Sequence, residues 1–128
     1  MESRVSYTLG ANVENLTLAS GYNEYGPDTV LDIDATGNSL DNVIIGNSDA
    51  NVITAGAGND TLTGNGGGDT YVFASGDGAN VITDFDHDLD TLDFSAFSAS
   101  DQALLANPVS NGSGQSVYTA GAFSVSVP

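Results

Sequence analysis

The chain has no cysteine and no lysine, a single arginine (Arg4) and a single histidine (His87). Without cysteine there is no disulfide and no thiolate metal site. Stability outside a cell must then come from elsewhere, and a metal can supply it. With one His and neither Cys nor Lys, a nucleophile–base pair is hard to build, and abundant Ser and Asp do not by themselves make a triad. The expectation is a non-enzyme. No apolar run approaches ~18 residues, so no membrane-spanning helix is expected. Residues 1–20 lack the basic and apolar regions of a cleaved signal peptide. Met1 directly before Glu2, Ser3 and Arg4 reads as the start of an expressed fragment, with no export route encoded at the front.

Acidic residues fill the space left by these absences. Seventeen Asp and Glu against one Arg give a net charge of -16 over 128 residues. Such a charge disfavours nucleic acid, anionic membranes and polyanionic substrates, and favours multivalent cations. The hydrophobic content of 40% suffices for a core. The carboxylates nevertheless have no internal counter-ions, so the bare chain is expected to repel itself and stay expanded. A positive charge must be supplied from outside, and Ca²⁺ is the natural candidate.

The centre of the chain is periodic. Residues 37–72 divide into four abutting blocks of nine: 37–45, 46–54, 55–63 and 64–72. The sixth place reads Asn42, Asn51, Asp60, Asp69, and the eighth reads Ile44, Ile53, Leu62, Tyr71. Each block predicts a three-residue strand and a six-residue turn, with the eighth-place side chain inward and its two small β-prone neighbours outward. The period is too short for a helical repeat, and the glycines destroy helix propensity. Units this short cannot bury their apolar residues alone, so they must stack.

The flanks carry weaker signals. Residues 5–18 read as two short strands around Gly10-Ala11-Asn12, and 19–29 as an irregular excursion with a turn at Gly26-Pro27-Asp28. Val30 to Ile33 suggests one more strand. After the array, Phe73 and Ala74 break the phase by two, and 75–83 fits again with Asn80 and Ile82. Phe85, Leu89, Leu92 and Phe94 read as apolar anchors of 84–94. Ser100-Asp101 offers an N-cap for a helix from Gln102 to Ala106, stopped by Asn107-Pro108. Residues 116–119 and 122–127 read as a hairpin joined by Ala120-Gly121.

Ca²⁺ takes 6–8 oxygen ligands from carboxylates and backbone carbonyls. Glycine-rich turns expose carbonyls, and one Asp per turn adds charge. A single turn supplies too few oxygens, whereas two stacked turns supply enough. An ion between neighbouring turns on the edge of a solenoid is therefore expected.

The pattern Gly-Gly-x-Gly-x-Asp-x-apolar-x is met almost fully by 55–63, and by 64–72 with Asn65 in the second place. Here the chain resembles the RTX, or hemolysin-type, calcium-binding nonapeptide repeats. Residues 7–18 and 84–95 are also similar to segments flanking such arrays in large secreted bacterial proteins. The resemblance covers roughly residues 5–97. It implies an all-β fold, a right-handed parallel β-roll in which two nonapeptides make one coil. A C-terminal cap with a short helix and a hairpin would close the stack. The expected domains are 1–36 (N-terminal strands and excursion), 37–83 (the roll) and 84–128 (the cap). Turn 37–42 would stack on 55–60, 46–51 on 64–69, and 55–60 on 75–80. Three inter-turn sites follow, with metal positions at Asn42, Asn51, Gly56, Gly58, Asp60, Gly67, Asp69, Gly76, Gly78, Asn80 and Asp90.

The Asn at several sixth places departs from the pattern. Each removes one negative charge, and no expected pair of turns has Asp in both sixth places. Such an Asn either ligates through its amide oxygen or forms a hydrogen-bonded ladder in place of an ion. Asp77, Asp84 and Asp90 are candidates for a further site at the array's end. Asp84-x-Asp86-x-Asp88 is not an EF-hand start, because Leu89 stands where that loop needs Gly and Ser95 where it needs Glu. Even Asp60 and Asp69 have a simpler reading, as turn caps without metal. Tyr22 and Tyr25, beside Glu24, either stack on a sugar ring or pack against the roll.

The resemblance implies a calcium-binding module that folds outside the cell. It would belong to a larger secreted or cell-surface protein exported by the type I route, linked to catalytic or adhesive domains. The alternative is a carbohydrate-binding or adhesive module with a polysaccharide ligand.

Overall fold

The computed structural model describes residues 1–19 and 33–128. Strands are short and regularly spaced. The N-terminal part supplies β1 (Glu2–Ser3), β2 (Tyr7–Thr8), β3 (Asn15–Leu18) and β4 (Ala35–Thr36). The four blocks supply β5 (Val43–Ile45), β6 (Val52–Thr54), β7 (Thr61–Thr63) and β8 (Thr70–Val72), one strand each. In every block the eighth-place residue is fully buried: Ile44, Ile53, Leu62 and Tyr71. Its neighbours face outward or lie half-buried. Alternation along an extended backbone sets this pattern.

Successive strands alternate between two sheets, so the chain winds as a parallel coil. Among the described residues one sheet runs β1-β3-β5-β7 and the other β8-β6-β4-β2 through this region. Val43 pairs with Thr61 and Val52 with Thr70, in parallel. Two nonapeptides therefore make one turn of the coil, as expected from the resemblance. The segments around Gly10 supply β2 and β3, which belong to opposite sheets and stack on the array in register. Tyr22, Glu24, Tyr25 and the turn at Gly26 lie outside the described residues. Of the strand expected at 30–33 only Ile33 is described. It is buried but not in a strand, and the strand that follows is Ala35–Thr36.

The two-residue break at Phe73-Ala74 is absorbed. β9 (Ala79–Ile82) still pairs parallel with β7, with Leu62 opposite Ile82. Phe73 is buried and packs on Phe94 and Phe123 at ring-centroid distances of 6.1 and 5.4 Å. β10 (Thr91–Asp93) adds to the second sheet beside β8. The chain then forms α1 (Ala99–Leu105), β11 (Val109–Ser110), β12 (Ser116–Ala120) and β13 (Phe123–Val127). β12 and β13 are antiparallel, and β13 lies parallel on β9, so the hairpin extends the first sheet. Phe97, Leu105, Phe123, Val125 and Val127 bury their side chains there.

Three expectations need correction. Leu89 is 61% exposed and anchors nothing; its carbonyl oxygen, not its side chain, meets the array, 3.0 Å from where a Cβ on Gly68 would stand. Phe85, Leu92 and Phe94 do pack on the core. The helix starts earlier than Gln102: Ser98 caps it, accepting from the Asp101 N–H at 3.2 Å. The hairpin turn is Gly121-Ala122, since Ala120 pairs with Phe123.

Candidate metal centre

Winding between two sheets leaves the turns on two edges. One edge stacks 37–42, 55–60 and 75–80, and the other stacks 46–51, 64–69 and 84–90. Gly56, Gly58, Gly67, Gly76 and Gly78 all have positive φ, and Asn65 takes the same conformation at 70°. At Gly58 the reason is close approach: a Cβ there would lie 2.5 Å from the carbonyl oxygen of Leu40 in the preceding turn. In the next turn a Cβ at Gly78 would lie 2.2 Å from the carbonyl oxygen of Gly58. The turns thus bring backbone carbonyls against bare Cα atoms.

The sixth places form a ladder along each edge. The Asn42 N–H donates to Asp60 Oδ1 at 2.8 Å, and the Asp60 N–H donates to Asn80 Oδ1 at 2.9 Å. On the other edge the Asn51 N–H donates to Asp69 Oδ1 at 2.9 Å, and the Asp69 N–H to Asp90 Oδ1 at 2.8 Å. All these sixth-place side chains except that of Asp90 belong to buried residues; Asp60 and Asp69 are 1% exposed. A second ladder runs beside the first on one edge, where Asn59 donates to Asp41 and Ala79 to Asn59.

Asp60 and Asp69 are left half-satisfied. Each has one oxygen in the ladder, while Oδ2 is buried and has no hydrogen-bond partner. Burial pushes both carboxyls up to about 6. The N–H groups of Asn42 and Asn51 oppose that rise, and nearby carboxylates add to it: Asp77 and Asp41 for Asp60, Asp90 and Asp84 for Asp69. A buried carboxylate oxygen that faces further negative charge is suited to bind a cation. Arg4, the single arginine, is exposed. Hard, oxygen-only surroundings of carboxylate and carbonyl suit Ca²⁺.

The Asn positions differ from the Asp positions. Asn42 Oδ1 accepts from the N–H of Asn38, and its Nδ2 donates to Asn38 Oδ1 at 3.1 Å. Asn51 does the same with Asn47, and its Nδ2 also reaches the carbonyl of Ile33 at 2.7 Å. Asn80 Nδ2 donates to the carbonyl of Asp77 at 3.2 Å. These amides are woven into the turns by hydrogen bonds, the ladder arrangement. Among the sixth-place side chains described, only Asp60 and Asp69 hold a buried oxygen without a partner.

The three acids expected to form one further site lie on two edges. Asp77 faces Asp60, accepts from the Ala74 N–H at 2.6 Å and has its carboxyl raised by burial. Asp84 and Asp90 face Asp69. Asp84 clasps the array, accepting from the N–H groups of Gly64 and Asn65 at 2.9 and 2.8 Å. Asp90 accepts from both Asp69 and Asp86. Among the described residues no three acidic or His side chains converge as a metal cluster. Any ion here must draw on carbonyls as well as carboxylates.

Two features escape the repeat pattern. Turn 64–69 stacks on 84–90 as well, so one pair of turns does carry Asp in both sixth places: Asp69 and Asp90. The second is the hydroxyl of Tyr71, which is buried without a partner. The run Asp90-Thr91-Leu92 repeats the Asp-x-apolar signature of the blocks and could have revealed the first.

Residues 36–71 match the sequence model of the RTX calcium-binding nonapeptide repeat in four copies. That segment belongs to this repeat family, and the cofactor of these repeats is Ca²⁺. No curated protein matches the chain.

Proposed function

We propose, from the premise that residues 36–71 are calcium-binding nonapeptide repeats, that the chain is a non-catalytic β-roll module whose folding is controlled by calcium. One observation carries the reading: Asp60 Oδ2 and Asp69 Oδ2 are buried, lack partners and lie on opposite edges of the coil. Each marks one ion position. Asp60, with the carbonyl-lined turns around Gly56, Gly58 and Gly78, would hold an ion on one edge. Asp69, with the turns around Gly67 and Asp90, would hold an ion on the other. Asn42, Asn51 and Asn80 continue the ladders as spacers. A bound Ca²⁺ would supply the positive charge that the sequence omits.

The switch follows from what the residues do alone. Seventeen acids against one Arg repel each other in the compact state. Two of them are buried with an open oxygen, which is costly unless protonated or paired. A ligand that binds only the native state stabilises it by mass action. The core and the backbone ladders then set the shape, with residues 1–36, 37–83 and 84–128 as N-terminal strands and excursion, array and closing cap. We place the module in a larger secreted or surface protein that is exported unfolded, where calcium is scarce, by the type I route.

Circular dichroism with calcium and with chelator tests the switch, and an identical β spectrum in both would sink it. Calorimetric titration should find about two ions. Asp60→Asn and Asp69→Asn should each remove one.

A further inference from the structure

The two Asp turns are not equivalent. Turn 55–60 has a methyl at its first place (Ala55) and leucine at the following eighth place (Leu62). Turn 64–69 has Gly64 and Tyr71 at the same places. An ideal Cβ on Gly64 would fall 2.1 Å from Asp69 Oδ2 and 2.3 Å from the Tyr71 hydroxyl. Both oxygens therefore converge on one bare Cα, where even the methyl carried by Ala55 could not fit. Both are buried and neither makes a well-formed hydrogen bond; the Gly64 N–H, which donates to Asp84 Oδ1, also faces the phenol oxygen. The Tyr71 ring is fixed in the core, 6.1 Å from the ring of Phe85.

A buried hydroxyl with no partner is uncommon and costs free energy. It is placed here beside Asp69 Oδ2, a buried carboxylate oxygen that is also open. The phenol oxygen is a neutral hard donor of the kind that completes the shell of an oxygen-liganded cation. We propose that the Tyr71 hydroxyl is a ligand of the ion held at Asp69. This edge then has a site of different composition from that at Asp60, where Leu62 offers no oxygen. The inference rests on the calcium reading above. It assigns an eighth-place side chain a second task besides filling the core.

The experiment uses the full chain carrying Asp60→Asn, so that only the Asp69 edge holds an ion, with Tb³⁺ as the probe. Excitation of tyrosine should sensitise terbium emission strongly, because the phenol touches the ion. Tyr71→Phe in the same background should retain terbium, lose most of the sensitised emission and bind calcium severalfold more weakly. Luminescence decay in H2O and D2O should show the hydration number of the ion rising by about one as water fills the vacated position. An unchanged hydration number, or calcium binding as tight as before, would overturn the role of Tyr71. A second measurement needs no variant at that position: added calcium should perturb the tyrosine ultraviolet spectrum of the Asp60→Asn chain, and the perturbation should vanish with Asp69→Asn. If Asp69→Asn leaves ion binding intact, the calcium reading falls first. If it abolishes binding while Tyr71→Phe changes nothing, only the tyrosine assignment falls.

Discussion

The Asp69 N–H donates to Asp90 Oδ1 at 2.8 Å, across 21 residues of sequence. This bond continues the sixth-place ladder past the last nonapeptide and puts two carboxylates in adjacent turns. Its acceptor also takes the Asp86 N–H on the other oxygen, at 2.9 Å. Asp90→Ala leaves both N–H groups without acceptors and should cost roughly 1–3 kcal/mol. Asp90→Asn keeps an acceptor and removes the charge. It should cost little stability in chelator, yet weaken calcium binding on that edge by about tenfold. Chemical denaturation with and without calcium separates the two variants, and equal losses in both conditions would show that the charge of Asp90 has no part in ion binding.

Much of this arrangement is legible in the sequence, and the gaps have physical causes. The period of nine places Ile44, Ile53, Leu62 and Tyr71 in the core because alternation in a three-residue strand leaves only the middle side chain inward. The period also pairs turns on each edge. It does not reach Asp90, because the loop from Thr83 to Asp90 is longer than a nonapeptide turn and hides the continuing ladder. Leu89 reads as an anchor by type, yet stands exposed in that loop. Ser100 reads as the helix cap, yet Ser98 is the cap, its hydroxyl accepting from the Asp101 N–H three residues on. The Tyr71 hydroxyl is invisible to periodicity, since an eighth-place aromatic reads only as core.

Stability should depend on pH with opposite signs in the two ionic conditions. Burial raises Asp60 and Asp69 from 3.8 to about 6. Between these values the folded chain binds more protons than the unfolded chain, so the metal-free fold loses stability as pH rises. Above about 6 each ionised carboxyl costs the fold on the order of 1–3 kcal/mol. In chelator the melting temperature should therefore rise as pH falls from about 7 to about 5. In moderate calcium it should fall over the same range, because protons displace the ion from the same oxygens. Loss of general self-repulsion acts in the first direction too. The Asp60→Asn, Asp69→Asn double variant should accordingly keep a weaker slope in chelator and lose the opposite slope in calcium. An unchanged pair of slopes in that variant would show that these two groups do not set the response.

The phase break is predicted to be a strong point of the fold. Phe73 is 1% exposed and meets Phe94 and Phe123, joining the last array strand to both C-terminal segments. Phe73→Ala should cost about 3–5 kcal/mol. The calcium concentration needed for folding should rise correspondingly, even though the substitution lies outside the acidic turns. A calcium titration followed by circular dichroism would show the shifted midpoint, and an unshifted one would mean that the C-terminal segments fold independently of the array.

Two glycines of the same edge separate backbone strain from close packing. Gly58 and Gly76 have φ of 110° and 97°. A Cβ at Gly76 would meet nothing within 4 Å, whereas one at Gly58 would lie 2.5 Å from the Leu40 carbonyl oxygen and 2.7 Å from its carbon. Gly76→Ala should therefore cost only the strain of a left-handed alanine, about 1–2 kcal/mol. Gly58→Ala must also push apart turns 37–42 and 55–60, which destroys the stacking that brings carbonyls to the Asp60 edge. It should cost more than Gly76→Ala by at least about 1 kcal/mol, and calorimetry should find one ion fewer. Equal melting temperatures for the two variants, with both ions retained, would show that turn stacking at Gly58 is not what builds that edge.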